Sequence, residues 1–225
     1  MTEFSRRAEQ ISGRTFQSYR DLHAWSIASP DQFWPAVWDF CQVVGERGDR
    51  VLLHPERMPG AKWFPDARLN IAENLLRHDG PEAGLVFWGE DKVKTTLSRR
   101  QLREQVSKLA AAFRGMGVRP GDRVAAYMPN MPETIVTMLA AATLGATFTS
   151  ASPDFGVQGV LDRFGQTQPK VLVACDGYWY NGKTVDVFGK LGPILDGLPS
   201  VQHGRNEQQR SVRSDPNLRF VRRCR

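Results

Sequence analysis

From residue 84 onward the apolar positions of this 225-residue chain change their spacing several times, and each change marks a new element. Residues 85–89 and 93–97 are rich in strand-forming side chains on either side of Glu90 and Asp91, which predicts a hairpin of two short strands. The spacing then becomes helical at Leu102, Val106, Leu109 and Phe113. Ser98 and Gln101 stand before that stripe as a capping box, and Gly117 supplies its C-terminal stop. Residues 123–128 predict a strand, and residues 133–144 a helix so rich in Ala, Val, Met and Leu that it is buried on most sides. A strand over 146–150, a helix over 156–166, a continuous apolar strand over 170–174 and a helix over 185–195 complete the series. Strands alternating with helices imply right-handed crossovers and a doubly wound α/β sheet. Such sheets bind ligands beyond the carboxyl ends of their strands. Those ends are residues 129–131, 150–154 and 176–183.

The chain before residue 81 reads differently. Residues 1–15 are polar and expected to be loose, and residues 16–80 are expected to form a helical cap. Within that cap Tyr19, Trp25, Phe33, Trp34, Trp38 and Phe40 recur as packing positions, and Ser29 before Pro30 and Asp31 reads as an N-cap with proline in the first turn. Residues 62–76 predict a short helix whose Leu69, Ala72 and Leu76 share a face. Residues 81–202 then make the first part of the sheet domain, and residues 203–225 a tail.

Composition adds a bound and removes a temptation. A chain with 41% hydrophobic and 10% aromatic residues can build a core. Its net charge of +6 suggests nucleic acid until it is located: seven arginines against Glu207 and Asp215 place +5 of it after Gln202. The preceding 202 residues are close to neutral, so a basic face on the folded part is not supported. The tail has no lysine and no apolar periodicity, and its change of character predicts a disordered or frame-shifted end to an incomplete chain. The alternative is a basic arm for nucleic acid or an acidic membrane. Cys41, Cys175 and Cys224 are too few and too far apart for a disulfide framework or a four-ligand zinc site. The amino terminus lacks the apolar run of a signal peptide, and the longest apolar stretch, residues 134–148, is shorter than the roughly 18 residues of a membrane span. A cytoplasmic protein without a membrane segment is therefore expected.

Familiar nucleotide signatures are missing: no GxGxxG opens a helix after a strand, and GxxxxGK[ST] does not occur. His23, His54, His78 and His203 are scattered with no nucleophile at motif spacing, so no triad can be assembled and no catalytic residue or metal ligand is assigned. Two strand-end loops carry more, SASPDFG and DGYWYNGK. Backbone amides there can meet phosphate, Lys183 adds a point charge, and Tyr178, Trp179 and Tyr180 offer stacking faces for a nucleotide. Structural turns have the same composition, and both readings stand on the residues alone.

The segments WSI, FWPAVWDF, KWFPDARLNIAENLLRH, GVRPGDRVAAYMPNMPE, SPDFGVQGVLDRFGQTQPK and YNGK follow one another in an order that resembles the amino-terminal part of the acetoacetyl-CoA synthetases. These are AMP-binding, adenylate-forming enzymes similar to acetyl-CoA synthetase, and the resemblance covers residues 16–201. It implies a ligase that uses ATP with Mg2+ to convert acetoacetate to an acyl-adenylate, then passes the acyl group to CoA. It also implies that the phosphate loop, the adenine and ribose motifs and the adenylation lysine belong to parts of the family that match nothing here, so that this chain alone is inactive. On the CoA side the resemblance implies contacts from Pro153 and Asp154 and from Tyr180, Asn181, Gly182 and Lys183, with Tyr180 standing where the acetate enzymes carry arginine. A non-catalytic module that binds CoA or a nucleotide through the same loops is the alternative.

Overall fold

The strands of the central sheet are short, and a helix follows each of the first two and crosses back over the sheet. In the computed structural model, which describes residues 2–90 and 92–202, β5 (Arg123–Tyr127) lies between two parallel neighbours, β6 (Thr147–Ala151) and β7 (Val171–Ala174). The register pairs Val124 with both Phe148 and Val171, and Tyr127 with both Ala151 and Ala174. Helix α5 (Arg99–Gly115) precedes β5, α6 (Pro132–Thr143) links β5 to β6, and α7 (Val157–Thr167) links β6 to β7. Side chains of β5 alternate across the sheet. Ala125 and Tyr127 join Val160 and Phe164 of α7 and Ile194 and Leu195 of α8 (Phe188–Asp196), while Ala126 packs with Met128, Met131, Phe148 and Val173. The doubly wound expectation holds, with the three parallel strands in the order β6-β5-β7.

Two antiparallel hairpins flank this series in sequence. The first, β3 (Ala83–Gly89) with β4 (Val93–Ser98), matches the expected hairpin, and Ser98 caps α5 by accepting from the Gln101 amide at 3.2 Å while the Gln101 side chain accepts from Ser98 N–H at 2.9 Å. The second corrects an expectation. Residues 177–183, read as a loop leading into a helix from residue 185, form β8 (Gly177–Tyr180) and β9 (Lys183–Asp186), and α8 begins only at Phe188. Val185 is opposite Tyr178 and Thr184 opposite Trp179, so aromatic and β-branched side chains meet across the pair.

The described residues divide into two compact units, one up to Asn74 and the other from Leu75 onward. In the first, residues 2–12, expected to be loose, form α1 (Thr2–Ser12), with Ala8 fully buried and Phe4 in edge-to-face contact with Phe33 and Phe40. The polar composition hid a helix that needs only Phe4 and Ala8 to seat it. Helices α2 (Tyr19–Ala28) and α3 (Pro30–Phe40) bury Leu22, Trp25 and Ala36, but Tyr19 is largely exposed, contrary to the packing expected of it, and Trp34 is partly exposed with its ring edge-on to Phe33 and Trp63. Strand β2 (Lys62–Trp63), paired with β1 (Leu52–Leu53), replaces the start of the helix expected over 62–76. Helix α4 (Ile71–Leu76) starts late because Asn70 Oδ1 accepts from the Ala72 and Glu73 amides, at 2.8 and 3.3 Å, and fixes the first turn there. Leu69 is left exposed. No helix among the described residues is long and apolar enough to cross a membrane. The basic tail, with its expected nucleic-acid alternative, lies outside the described residues.

Candidate functional site at the strand ends

Beyond the carboxyl ends of β5, β6 and β7 three segments converge through hydrogen bonds rather than apolar packing. Tyr127, last in β5 and fully buried, donates from its hydroxyl toward the carbonyls of Pro153 (3.0 Å) and Phe155 (2.7 Å). Burial raises the Tyr127 hydroxyl pKa above its ordinary value. Lys190 of α8 donates to the same Pro153 carbonyl at 3.0 Å. The loop after β6 is thus gripped from the sheet and from α8, which fixes its backbone where a ligand would approach.

Asp154 completes that grip. Its carboxylate accepts from the Ser152 hydroxyl at 2.7 Å and from the Tyr178 hydroxyl, and its own amide donates to Ser152 Oγ at 3.3 Å. The Tyr178 hydrogen bond, with that of Ser152, holds the Asp154 carboxyl below the usual carboxylate range. Burial first, and the Asp154 hydrogen bond second, push Tyr178 up to about 12. Tyr178 is therefore a positioning group and no stacking face. Of the three aromatics in DGYWYNGK only Tyr180 is largely open, at 64% exposure, whereas Trp179 is half-buried with the Lys92 ammonium 5.9 Å from its ring centroid.

At the tip of the second hairpin Asn181 and Gly182 have φ of +50° and +71°, the left-handed pair that closes a two-residue turn. Their amides do not face open solvent. Glu90, at the turn of the first hairpin, accepts from Asn181 N–H with Oε1 and from Gly182 N–H with Oε2, the latter at 3.1 Å. Lys183 is exposed beside them. The six residues singled out from the sequence therefore fall into two groups. Pro153 and Asp154 lie in the loop after β6, with Asp154 bonded to Tyr178 of the second hairpin, and Tyr180 to Lys183 form the tip of that hairpin, two residues or roughly 7 Å further along the strand.

Sequence reasoning missed Tyr127, Lys190 and Glu90. The Asn-Gly dipeptide between GYWY and KTVD was the available signal for the hairpin and its left-handed amides. Nothing local pointed to Glu90, which is 91 residues from Asn181. Among the described residues no three His, Cys, Asp or Glu side chains converge as a metal site.

Residues 79–218 match the family model for AMP-binding enzymes, and residues 19–75 match that for the acetyl-coenzyme A synthetase N-terminus. The chain is 52% identical over 203 residues to an acetoacetyl-coenzyme A synthetase of Rhizobium meliloti, covering 89% of this chain and 31% of that protein. It is 36% identical over 210 residues to a malonamoyl-CoA synthetase of Penicillium aethiopicum, covering 90% of this chain and 29% of that one. Among solved structures, acetoacetyl-CoA synthetase from Streptomyces lividans superimposes with a TM-score of 0.83 at 41% identity, covering 89% of this chain and 32% of that one. The chain spans about a third of the length of the curated relatives it matches.

Proposed function

This chain belongs to the AMP-binding enzyme family, and from that premise we propose that it carries the amino-terminal part of an acetoacetate:CoA ligase. In the proposed reaction a carboxylate oxygen of acetoacetate attacks the α-phosphorus of ATP and pyrophosphate leaves. The CoA thiolate then attacks the acyl carbon, giving acetoacetyl-CoA and AMP, in a cytoplasmic enzyme. The observation that carries the reading is the likeness to the Streptomyces lividans acetoacetyl-CoA synthetase, which extends over 89% of the chain at 41% identity.

Within that reading the described residues serve the CoA side. Pro153 and Asp154 offer a backbone held rigid by Tyr127, Tyr178 and Lys190. Tyr180 offers an open ring for an adenine face, and Asn181, Gly182 and Lys183 offer two amides and a cation to a phosphate. Mg2+ supplies charge neutralisation to the triphosphate in such chemistry, and no described residue is assigned to it.

A chimera tests the proposal. Residues 1–202 replace the corresponding segment of the Rhizobium meliloti relative, and pyrophosphate release is followed with acetoacetate, acetate and malonamate. Acetoacetate-dependent release with formation of acetoacetyl-CoA is expected. A folded chimera that prefers either other acid, or activates none, overturns the assignment. The 225-residue chain by itself is expected to release no pyrophosphate, because its sequence holds no glycine-rich phosphate loop.

A further inference from the structure

We propose that the outer face of the β3–β4 hairpin is a contact surface for an anionic lipid bilayer, with Trp88 and Val86 seated among the headgroups and Lys94 paired with lipid phosphate. The hairpin has two unlike faces because side chains alternate along each strand. On the inner face Leu97 is buried, and Phe87 packs against the cluster of Ala126, Met128 and Met131. On the outer face the register sets Val86 opposite Thr96 and Trp88 opposite Lys94. All four of these residues are exposed, Val86 at 61% and Trp88 at 70%.

An antiparallel pair with one face in water ordinarily alternates apolar and polar positions. Strand β4 obeys that rule, whereas β3 runs Leu85, Val86, Phe87, Trp88 with no polar position, so its outward half serves something other than the core. The surrounding charge selects the partner. Lys94 holds its ammonium 4.5 Å from the Trp88 ring centroid, and Lys92 is exposed at the same end of the hairpin. Glu90 is turned to the Asn181 and Gly182 amides, and Asp91 lies outside the described residues. A second copy of this face would bring Lys94 against Lys94, which disfavours self-association. Nucleic acid would use the cations but leave Val86 against charged phosphate. A bilayer interface uses every part: an indole settles at headgroup depth, a lysine stem lies along apolar surface while its ammonium reaches phosphate, and an aliphatic side chain enters the acyl boundary. Such a contact needs no helix that crosses the membrane, and it is independent of the proposed reaction.

The seven arginines after Gln202 also draw the chain to anionic lipid, so a bound fraction alone does not locate the contact. The test therefore reads depth at one residue. The 225-residue chain is mixed with phosphatidylcholine vesicles holding about 30% phosphatidylglycerol with brominated acyl chains, and the quenching of its tryptophan fluorescence is compared with that of Trp88→Phe at equal bound fraction. Native quenching is expected to be about twice that of the variant, because Trp88 is the tryptophan on the contact face. Lys94→Glu is expected to weaken partition about tenfold, an effect that disappears in about 0.5 M salt. Val86→Thr, which keeps a β-branched side chain on the strand, is expected to weaken it about threefold. All three positions are exposed, so the urea midpoint of each variant is expected to match that of the native chain. Equal quenching of the native chain and Trp88→Phe, or partition that Lys94→Glu leaves unchanged, puts the lipid contact elsewhere on the chain and overturns the proposal. A Trp88 response to a polyglutamate peptide at lower concentration than to lipid overturns it as well, and reassigns the face to an acidic protein.

Discussion

The base and the tip of the β8–β9 hairpin are held by different physics. At the base, Tyr178 is buried within the main core cluster and donates to Asp154, whose loop is also gripped by Tyr127 and Lys190. At the tip, two exposed amides meet one exposed carboxylate. Buried groups are costly to separate because each loses a partner without regaining full solvation, whereas exposed partners exchange one another for water at little cost. The base is thereby suited to hold geometry, and the tip to exchange partners.

The sharpest way to break this contrast is to remove the floor of the base. Phe164 is fully buried in the same core cluster as Tyr127 and Ile194, and Phe164→Ala is expected to cost about 3–5 kcal/mol, read as a lower urea midpoint. If the base and tip are held independently, the Asn181 and Gly182 resonances of the fraction that remains folded stay unchanged.

Tyr178→Phe removes a single hydroxyl and is expected to cost about 1.5 kcal/mol at neutral pH, the scale of a hydrogen bond to a charged acceptor. Its pH dependence has a defined sign. Asp154 has a depressed folded value, so its contribution is complete above the ordinary value of 3.8 and is lost as pH falls through the lower folded value. Tyr178 is raised from 10.0 to about 12, so its contribution is complete below pH 10 and is lost as pH rises toward 12. The stability difference between native chain and variant should therefore form a plateau between these limits and vanish outside both. A difference that persists unchanged below the pH at which Asp154 itself is seen to protonate in the folded chain would show that the hydroxyl acts through packing and not through Asp154.

Effects at the tip are smaller. Gly182→Ala meets no steric obstacle, so its cost is the left-handed backbone alone, about 1 kcal/mol, with the hairpin retained. Glu90→Gln is expected to change the urea midpoint by no more than a few tenths of a kcal/mol, the range of an exposed charged contact. A loss comparable to that of Tyr178→Phe would make the tip as structural as the base.

Much of the sheet was legible because its signals are local. Val124, Ala125 and Ala126, the Ala-rich α6 and the run from Val171 to Ala174 announce buried strands and a buried helix by spacing alone, and Ser98 with Gln101 fixes where α5 begins. Helix α1 was not legible, since Thr2 to Ser12 is polar on most faces and is seated by two small contacts. The aromatics of residues 19–63 misled in the other direction: Trp25 is buried, but Tyr19, Trp34 and Trp63 keep much of their surface exposed. A side chain's type gives its affinity for a core, and only the surrounding chain decides whether a core reaches it.

The site divides along the same line. Its backbone was written into the sequence, because SASPDFG follows a strand and Asn-Gly allows the left-handed turn, so the places where amides turn outward follow from residue type and local sterics. What meets those amides was not written there. Glu90 reaches Asn181 across 91 positions, and Tyr127 reaches Pro153 across 26, through a sheet that must first assemble. Steric preferences act over a few residues and can be read along the chain. Hydrogen bonds between distant segments depend on how β5, β6, β7 and the two hairpins come to lie beside one another, and tertiary structure alone decided that.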